Sequence, residues 1–109
     1  MIQEIGWTNL QYAVFVDDNY HYMDPDERYK LGDFDNLEAA ISACKKIVDD
    51  CLAEYHEPGM TAVSLYRQYT FFGSDPFITG GDNGFSAWGY AKKRSEEICA
   101  TAGRERQEG

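Results

Sequence analysis

The side chains between residues 17 and 27 are the ones most able to do chemistry in this chain. The acids and the imidazole of this segment are Asp17, Asp18, His21, Asp24, Asp26 and Glu27. Carboxylates at this density could bind a hard divalent cation, and a carboxylate beside an imidazole could transfer a proton. Asp17 and His21 would lie on the same face if both belonged to one extended strand, because strand side chains alternate with a period of two.

The spacing of these acids does not match a known catalytic or metal-binding motif. An EF-hand loop alternates its acids and continues with a glycine and a later glutamate, a pattern that the segment lacks. No serine or cysteine occurs in the sequence between Asp17 and Ile41 to act as a nucleophile beside His21. We therefore predict no catalytic residue, no metal ligand and no cofactor. A solvated turn with local side-chain hydrogen bonds is the simplest interpretation of this stretch.

Tyrosines are interleaved with the same acids and suggest a binding surface. Aromatic anchors beside carboxylates favour a basic or aromatic protein partner. The candidate binding residues are Asp17, Asp18, Tyr20, His21, Tyr22, Asp24, Asp26, Glu27 and Tyr29. The leading interpretation is a non-enzymatic protein–protein interaction module. The alternative is a small enzyme, or a protein that binds a ligand or a divalent cation, which would use the same carboxylates and His21.

Composition limits the class of protein and of partner. A chain of 109 residues with 43% hydrophobic residues fits one folded domain. The formal net charge of −9 disfavours nucleic acid and anionic membranes as partners. No apolar run approaches the roughly 20 residues of a membrane span, and we expect a cytoplasmic protein. The odd count of three cysteines argues against a disulfide framework. Self-association stays open, since edge strands and surface aromatic residues favour it.

The acidic segment belongs to a predicted β-hairpin. Alternating apolar residues predict a strand over residues 10–16, with Tyr12, Val14 and Val16 on one face. We expect it to continue through residues 20–22 after a bulge or bend at residues 17–19. A turn at residues 23–27 then leads to a second strand over residues 28–34, with Tyr29 and Leu31 directed inward.

Three helices and a short strand follow the hairpin. Asp35 is the predicted N-cap of the first helix, which stops at Pro58. Its apolar stripe recurs at helical spacing and comprises Leu37, Ala40, Ile41, Cys44, Ile47, Val48, Cys51, Leu52 and Tyr55. A second helix begins after Thr61 and ends at Gly73, with the apolar stripe Ala62, Leu65, Tyr66, Tyr69 and Phe72. Asp75-Pro76 is a predicted turn, residues 77–79 are a strand candidate, and Ser86 is the predicted N-cap of a last helix. The fold class is therefore α+β in the order β-β-α-α-β-α, with a small antiparallel sheet and its helices on one face. We expect a single domain over residues 1–102 and a disordered tail over residues 103–109.

Several motifs together resemble a family of small bacterial proteins to which no activity is attached. The central motif runs from Val16 to Tyr29 in the form VDDNxHYMDxxERY. The other motifs are Gly32-Asp-Phe, Ala43-Cys-Lys-Lys-Ile-Val-Asp, Asp75-Pro-Phe and Ser86-Ala-Trp-x-Tyr-Ala. The resemblance covers most of residues 12–100 and implies no ligand, cofactor or reaction.

Overall fold

The computed structural model describes residues 12–21, 27–80 and 84–108, with the backbone alone for His21 and residues 101–108. The elements follow the order β-β-α-α-β-α, which confirms the predicted α+β class. The strands are β1 (Tyr12–Asp18), β2 (Tyr29–Phe34) and β3 (Ser74–Thr79), and the helices are α1 (Leu37–Tyr55), α2 (Ala62–Phe72) and α3 (Ala87–Glu108). A 3₁₀ turn over Asn19–His21 follows β1. None of the described helices is long and apolar enough to cross a membrane.

The strands form one antiparallel sheet in the order β2-β1-β3, so β1 is central and the other two strands are edges. β1 pairs with β3 from Ala13 opposite Thr79 to Asp18 opposite Ser74. β3 is longer than predicted, because Asp75 and Pro76 lie in the strand and not in a turn before it. An edge strand tolerates a proline, since its outer side needs no ladder hydrogen bond.

Tyr29 and Leu31 are predicted to face the core, but both side chains are exposed. The register of β1 against β2 shifts between Val14, which lies opposite Gly32, and Phe15, which lies opposite Lys30. Leu31 is thus an extra residue without an opposite partner, as in a β-bulge. Tyr29 lies opposite Val16 near the start of an edge strand, where nothing described covers it.

The continuation of the first strand through residues 20–22 is also wrong as far as the structure describes it. β1 includes Asp17 and Asp18 and then ends. The N–H of Asn19 donates to the carbonyl of Gly73 at 3.0 Å, outside the strand ladder. The chain therefore leaves the sheet at Asn19 and turns toward the end of α2.

The core lies between one face of the sheet and the helices. Every fourth residue of α1 is buried, in agreement with the predicted apolar stripe; these residues are Ala40, Cys44, Val48 and Leu52. The first two pack with Val14 and Ile78 of the sheet. The last two pack with Leu65 and Tyr69 of α2 and with Ala87 and Ala91 of α3. α1 therefore joins the sheet to the other two helices.

Side-chain caps fix where the helices begin. Thr61 accepts from the N–H of Ser64, and Ser86 accepts from the N–H of Gly89, each at 3.1 Å. The cap at Ser86 is confirmed. The cap of α1 is one residue later than predicted, because Asn36 and not Asp35 accepts from the N–H of Ala39 at 2.8 Å.

The last helix extends past the predicted domain end. The helical backbone of α3 continues to Glu108, beyond the boundary at residue 102. Apart from Gly103, residues 102–108 are good helix formers and include no proline. The single domain over residues 1–102 and the disorder of residues 103–109 stay predictions.

Gly73 provides a test of how tightly α2 joins β3. A Cβ at this position would lie 2.6 Å from Cδ1 of Tyr69, a fully buried side chain. We expect Gly73→Ala to lower the free energy of unfolding by about 1–3 kcal/mol, because a well-packed core resists the added methyl group. Urea unfolding measures the change.

Gly89 offers the matched control. A Cβ there would meet Ser86 at ordinary distances of 3.5 Å and longer. Alanine is also favoured over glycine in a helix by about 1 kcal/mol, so Gly89→Ala should preserve or raise stability. Equal stabilities for the two variants would contradict the packing described at Gly73.

Candidate functional site

Three exposed aromatic rings lie in contact where the 3₁₀ turn meets the end of α2. We call Tyr20, Phe71 and Phe72 the aromatic cluster; their exposed fractions are 65%, 57% and 50%. The rings of Tyr20 and Phe72 stack with centroids 5.5 Å apart, and those of Phe71 and Phe72 are tilted at 6.1 Å. Large apolar side chains grouped in this way on a surface are typical of protein-binding sites.

Asn19 fixes the turn that carries Tyr20. Its side chain is buried, and Nδ2 donates to the carbonyl of Tyr69 at 3.0 Å. Its Oδ1 accepts from the indole N–H of Trp88 at 3.2 Å. Together with the backbone bond to Gly73, these contacts join the 3₁₀ turn to α2 and α3. A buried amide in this position is costly to replace, since its partners would lose their hydrogen bonds.

Further hydrogen bonds hold the backbone beneath the rings. The N–H of Tyr20 donates to Oδ1 of Asp18 at 2.9 Å, in a local turn bond of the kind predicted for these acids. The hydroxyl of Tyr55 in α1 donates to the carbonyl of Phe72 at 3.0 Å. The exposed rings of Tyr20 and Phe72 therefore stand on a fixed backbone.

The predicted apolar stripe of α2 includes Phe72, and that part of the prediction is wrong. Leu65 and Tyr69 are buried as expected, whereas Phe72 is half exposed. It is the last residue of α2 and contacts the ring of Tyr20. The helical period shows which residues share a face, but it does not show where the core ends.

The structure separates the two acids at the end of β1. Asp17 receives a bidentate pair of hydrogen bonds from Arg28, with Nε at 2.5 Å and Nη2 at 3.0 Å. Asp18, the next residue of the strand, points to the other face and bonds to the turn. Asp17 and Asp18 therefore do not form a pair of carboxylates.

The remaining predicted binding residues divide into those that the structure places and those that it does not. Glu27 and Tyr29 are exposed at the start of β2. Tyr22, Asp24, Asp26 and the side chain of His21 lie outside the described residues. Since His21 follows the end of β1, the face shared by Asp17 and His21 on a continuous strand does not exist. Among the described residues no group of three or more His, Cys, Asp or Glu side chains could hold a metal ion.

A second polar arrangement lies on the sheet face opposite the helices. The guanidinium of Arg28 lies 5.0 Å from the centre of the Phe77 ring, which stacks with Phe15 at 5.8 Å. The bond to Asp17 raises the pKa of Arg28. Arginine can hold both a carboxylate and an aromatic face because its planar group is always charged.

Asp75 lies on the same face, opposite Asp17 in the strand ladder. No hydrogen bond or ion pair reaches its carboxylate from any residue that the structure describes. Burial, and then the charge of Asp17, raise its pKa from 3.8 to about 6. Asp75 is therefore a half-buried carboxylate whose charge no described residue neutralises.

Comparisons with protein-family models, with curated proteins and with solved structures found no match.

The raised pKa of Asp75 predicts how stability depends on pH. Because the folded-state pKa exceeds the ordinary value, the folded protein holds this proton more tightly than the unfolded chain does, and stability falls as pH rises from 4 to 7. We expect Asp75→Asn to be more stable than the wild type at pH 7.5 by about 1 kcal/mol, a value reduced for solvent screening of a half-buried group.

Thermal unfolding of both proteins between pH 4 and pH 7.5 measures this effect. The difference between them should disappear near pH 4, where both side chains are neutral. A wild type that is more stable than Asp75→Asn at pH 7.5 would show that the carboxylate has a favourable partner.

Proposed function

We propose that this protein is a binding module for other proteins and that its contact surface is the aromatic cluster with the acidic residues beside it. The observation that carries the proposal is the stacked pair of Tyr20 and Phe72, which stays 65% and 50% exposed on a hydrogen-bonded backbone. Rings held in place lose little conformational freedom when a partner covers them.

The size of the surface suits a transient complex. Covering about half of each of the three rings removes roughly 100 Å² per side chain from water. At about 25 cal/mol per Å² this burial contributes on the order of 7 kcal/mol before the cost of association. Further contacts around the rings must offset that cost, and the neighbouring acidic residues are suited to supply them.

The charge of the chain favours a basic partner. The formal net charge is −9. Asp18 directly precedes the 3₁₀ turn, and Glu27 is the next described residue after it. Opposite charges at the rim of an interface accelerate encounter and reject partners of the wrong charge. The expected partner is a basic protein segment that places an apolar or aromatic side chain against Tyr20 and Phe72.

The alternative, an enzyme or a cation-binding protein built on the hairpin carboxylates and His21, receives less support. Asp17 is engaged by Arg28, and Asp18 bonds to its own turn. This alternative stays a prediction, since its other proposed groups, the side chain of His21 and the acids of residues 22–26, lie outside the described residues.

We expect the double substitution Tyr20→Ala and Phe72→Ala to abolish partner binding. Quantitative affinity capture from cell extract should show a set of proteins reduced at least tenfold against the wild type. The same proteins should be released by salt at about 0.5 M, because screening weakens contacts between exposed charges.

Val63→Ala is the matched control, since Val63 lies on the same helix and is 66% exposed. It removes exposed apolar surface without touching the cluster, and its captured proteins should equal those of the wild type. Thermal unfolding must confirm that both variants are folded. If the double variant and Val63→Ala retain the same proteins as the wild type, the aromatic cluster is not the binding surface.

A further inference from the structure

A groove lies between β3 and the first turn of α3, apart from the aromatic cluster. Its volume is about 290 Å³. The lining residues are Asp75, Pro76, Phe77, Phe85, Ser86, Ala87 and Trp88. Two sequence motifs that the proposed function does not use, Asp75-Pro-Phe and Ser86-Ala-Trp, therefore meet in one place.

Among the described residues that line this groove, Asp75 is the one with an ionisable side chain. It is half buried, and no described residue supplies it with a hydrogen bond or an ion pair. The described cations on the same sheet face, Arg28 and Lys30, are bound to Asp17 and Asp33. A carboxylate that is partly withdrawn from water and has no cation beside it is suited to receive one from a ligand.

Aromatic side chains form the walls around this carboxylate. Trp88 is 38% exposed, and its orientation is fixed because its indole N–H donates to Asn19. Of the three aromatic residues that line the groove, Phe77 stacks with Phe15 and lies under Arg28, and the ring of Phe85 contacts that of Tyr90 at 6.4 Å. Trp88 is the third. Tryptophan is the aromatic side chain that attracts cations most strongly.

The N-terminus of α3 lies at the same groove and favours a negatively charged ligand, which is opposite to the effect of Asp75. A helix dipole is equivalent to about half a positive charge at that end, whereas Asp75 contributes a full negative charge. The cap also reduces the number of free donors there, because the N–H of Gly89 is bonded to Ser86. The full negative charge of Asp75 outweighs the partial positive charge of the helix end, so the groove favours a positively charged ligand.

We propose that this groove binds an alkylammonium group, with Asp75 as its hydrogen-bonded counter-ion and Trp88 as its aromatic wall. The ammonium group belongs either to a free amine or to a lysine side chain of a polypeptide. The site does not depend on the proposed protein binding at Tyr20 and Phe72, and each can fail without the other.

Binding at this site is lost as pH falls through about 6, because protonation removes the charge of Asp75. The other groups that act on this carboxylate are Asp17 on β1, Cys44 on α1 and Tyr69 on α2, with Arg28 bound to Asp17. Burial and the charge of Asp75 raise the pKa of both Cys44 and Tyr69, which keeps the thiol and the phenol neutral over this range. The titration of Asp75 therefore sets the pH dependence of binding between pH 5 and pH 7.5.

The test is an NMR titration of the ¹⁵N-labelled full chain with n-butylammonium chloride at pH 7.5. Saturable shifts should centre on the amides of Asp75, Phe77 and Trp88 and on the indole N–H of Trp88. n-Butanol at equal concentration controls for apolar contact, and potassium chloride controls for ionic strength. We expect affinity to fall at least tenfold for Asp75→Asn and about tenfold at pH 5.

Asp50→Asn is the control variant, since it removes the same charge from an exposed position on α1 and should bind like the wild type. A blocked Gly-Lys-Gly peptide distinguishes the two sources: tighter binding than n-butylammonium identifies a polypeptide lysine, and weaker binding identifies a free amine. The proposal is overturned if n-butanol produces the same shifts, if no saturable shift occurs, or if Asp75→Asn binds within twofold of the wild type.

Discussion

The buried side-chain amide of Asn19 is the contact on which the arrangement of this fold depends. It donates to α2 through the carbonyl of Tyr69 and accepts from α3 through the indole of Trp88. Its backbone N–H reaches Gly73 between α2 and β3. One residue at the end of the central strand thus connects two helices and the start of the third strand, and leaving its partners unpaired would cost about 1–3 kcal/mol for each buried group.

The hydrogen bonds of Asn19 also position the aromatic residues of both proposed sites. Tyr20 follows Asn19 directly, so the turn that Asn19 holds presents its ring to Phe72. Trp88 is held on the other side of the same amide and forms a wall of the groove that contains Asp75. The side-chain amide of Asn19 has hydrogen-bond partners for both its nitrogen and its oxygen, while the aromatic rings around it stay partly exposed to water. Stability of the fold alone does not require these rings to be exposed, and their exposure is the physical reason to propose binding.

Local features of the structure could be predicted from the sequence with good success. The caps at Thr61 and Ser86 follow from side chains that satisfy the first N–H groups of a helix, and the stripe of α1 follows from its period. The cap of α1 is one residue later than the predicted Asp35, since Asn36 is also a residue type that caps helices. Alternation gave the faces of β1 correctly but did not show that Tyr29 and Leu31 are exposed, because a bulge and an edge position are set by pairing between strands.

The candidate site was only partly visible in the sequence, since its members are distant in the chain. Tyr20 belonged to the predicted set, whereas Phe71 and Phe72 joined it only through the fold. A bend was predicted at residues 17–19, but the strand ends at Asp18, and the partners of Asn19 are 50 and 69 positions away. Asp75 is predicted to lie in a turn, and the absence of a described cation at its carboxylate depends on Arg28 being bound to Asp17.

The role of Asn19 is tested most directly by nuclear Overhauser contacts between aromatic rings in the wild type and in Asn19→Ala. The wild type should show contacts between Tyr20 and Phe72 and between Phe15 and Phe77, whose centroids are 5.5 Å and 5.8 Å apart. In Asn19→Ala the first pair should be lost while the second, within the sheet, remains. Contacts between Tyr20 and Phe72 that persist unchanged in Asn19→Ala would contradict the account.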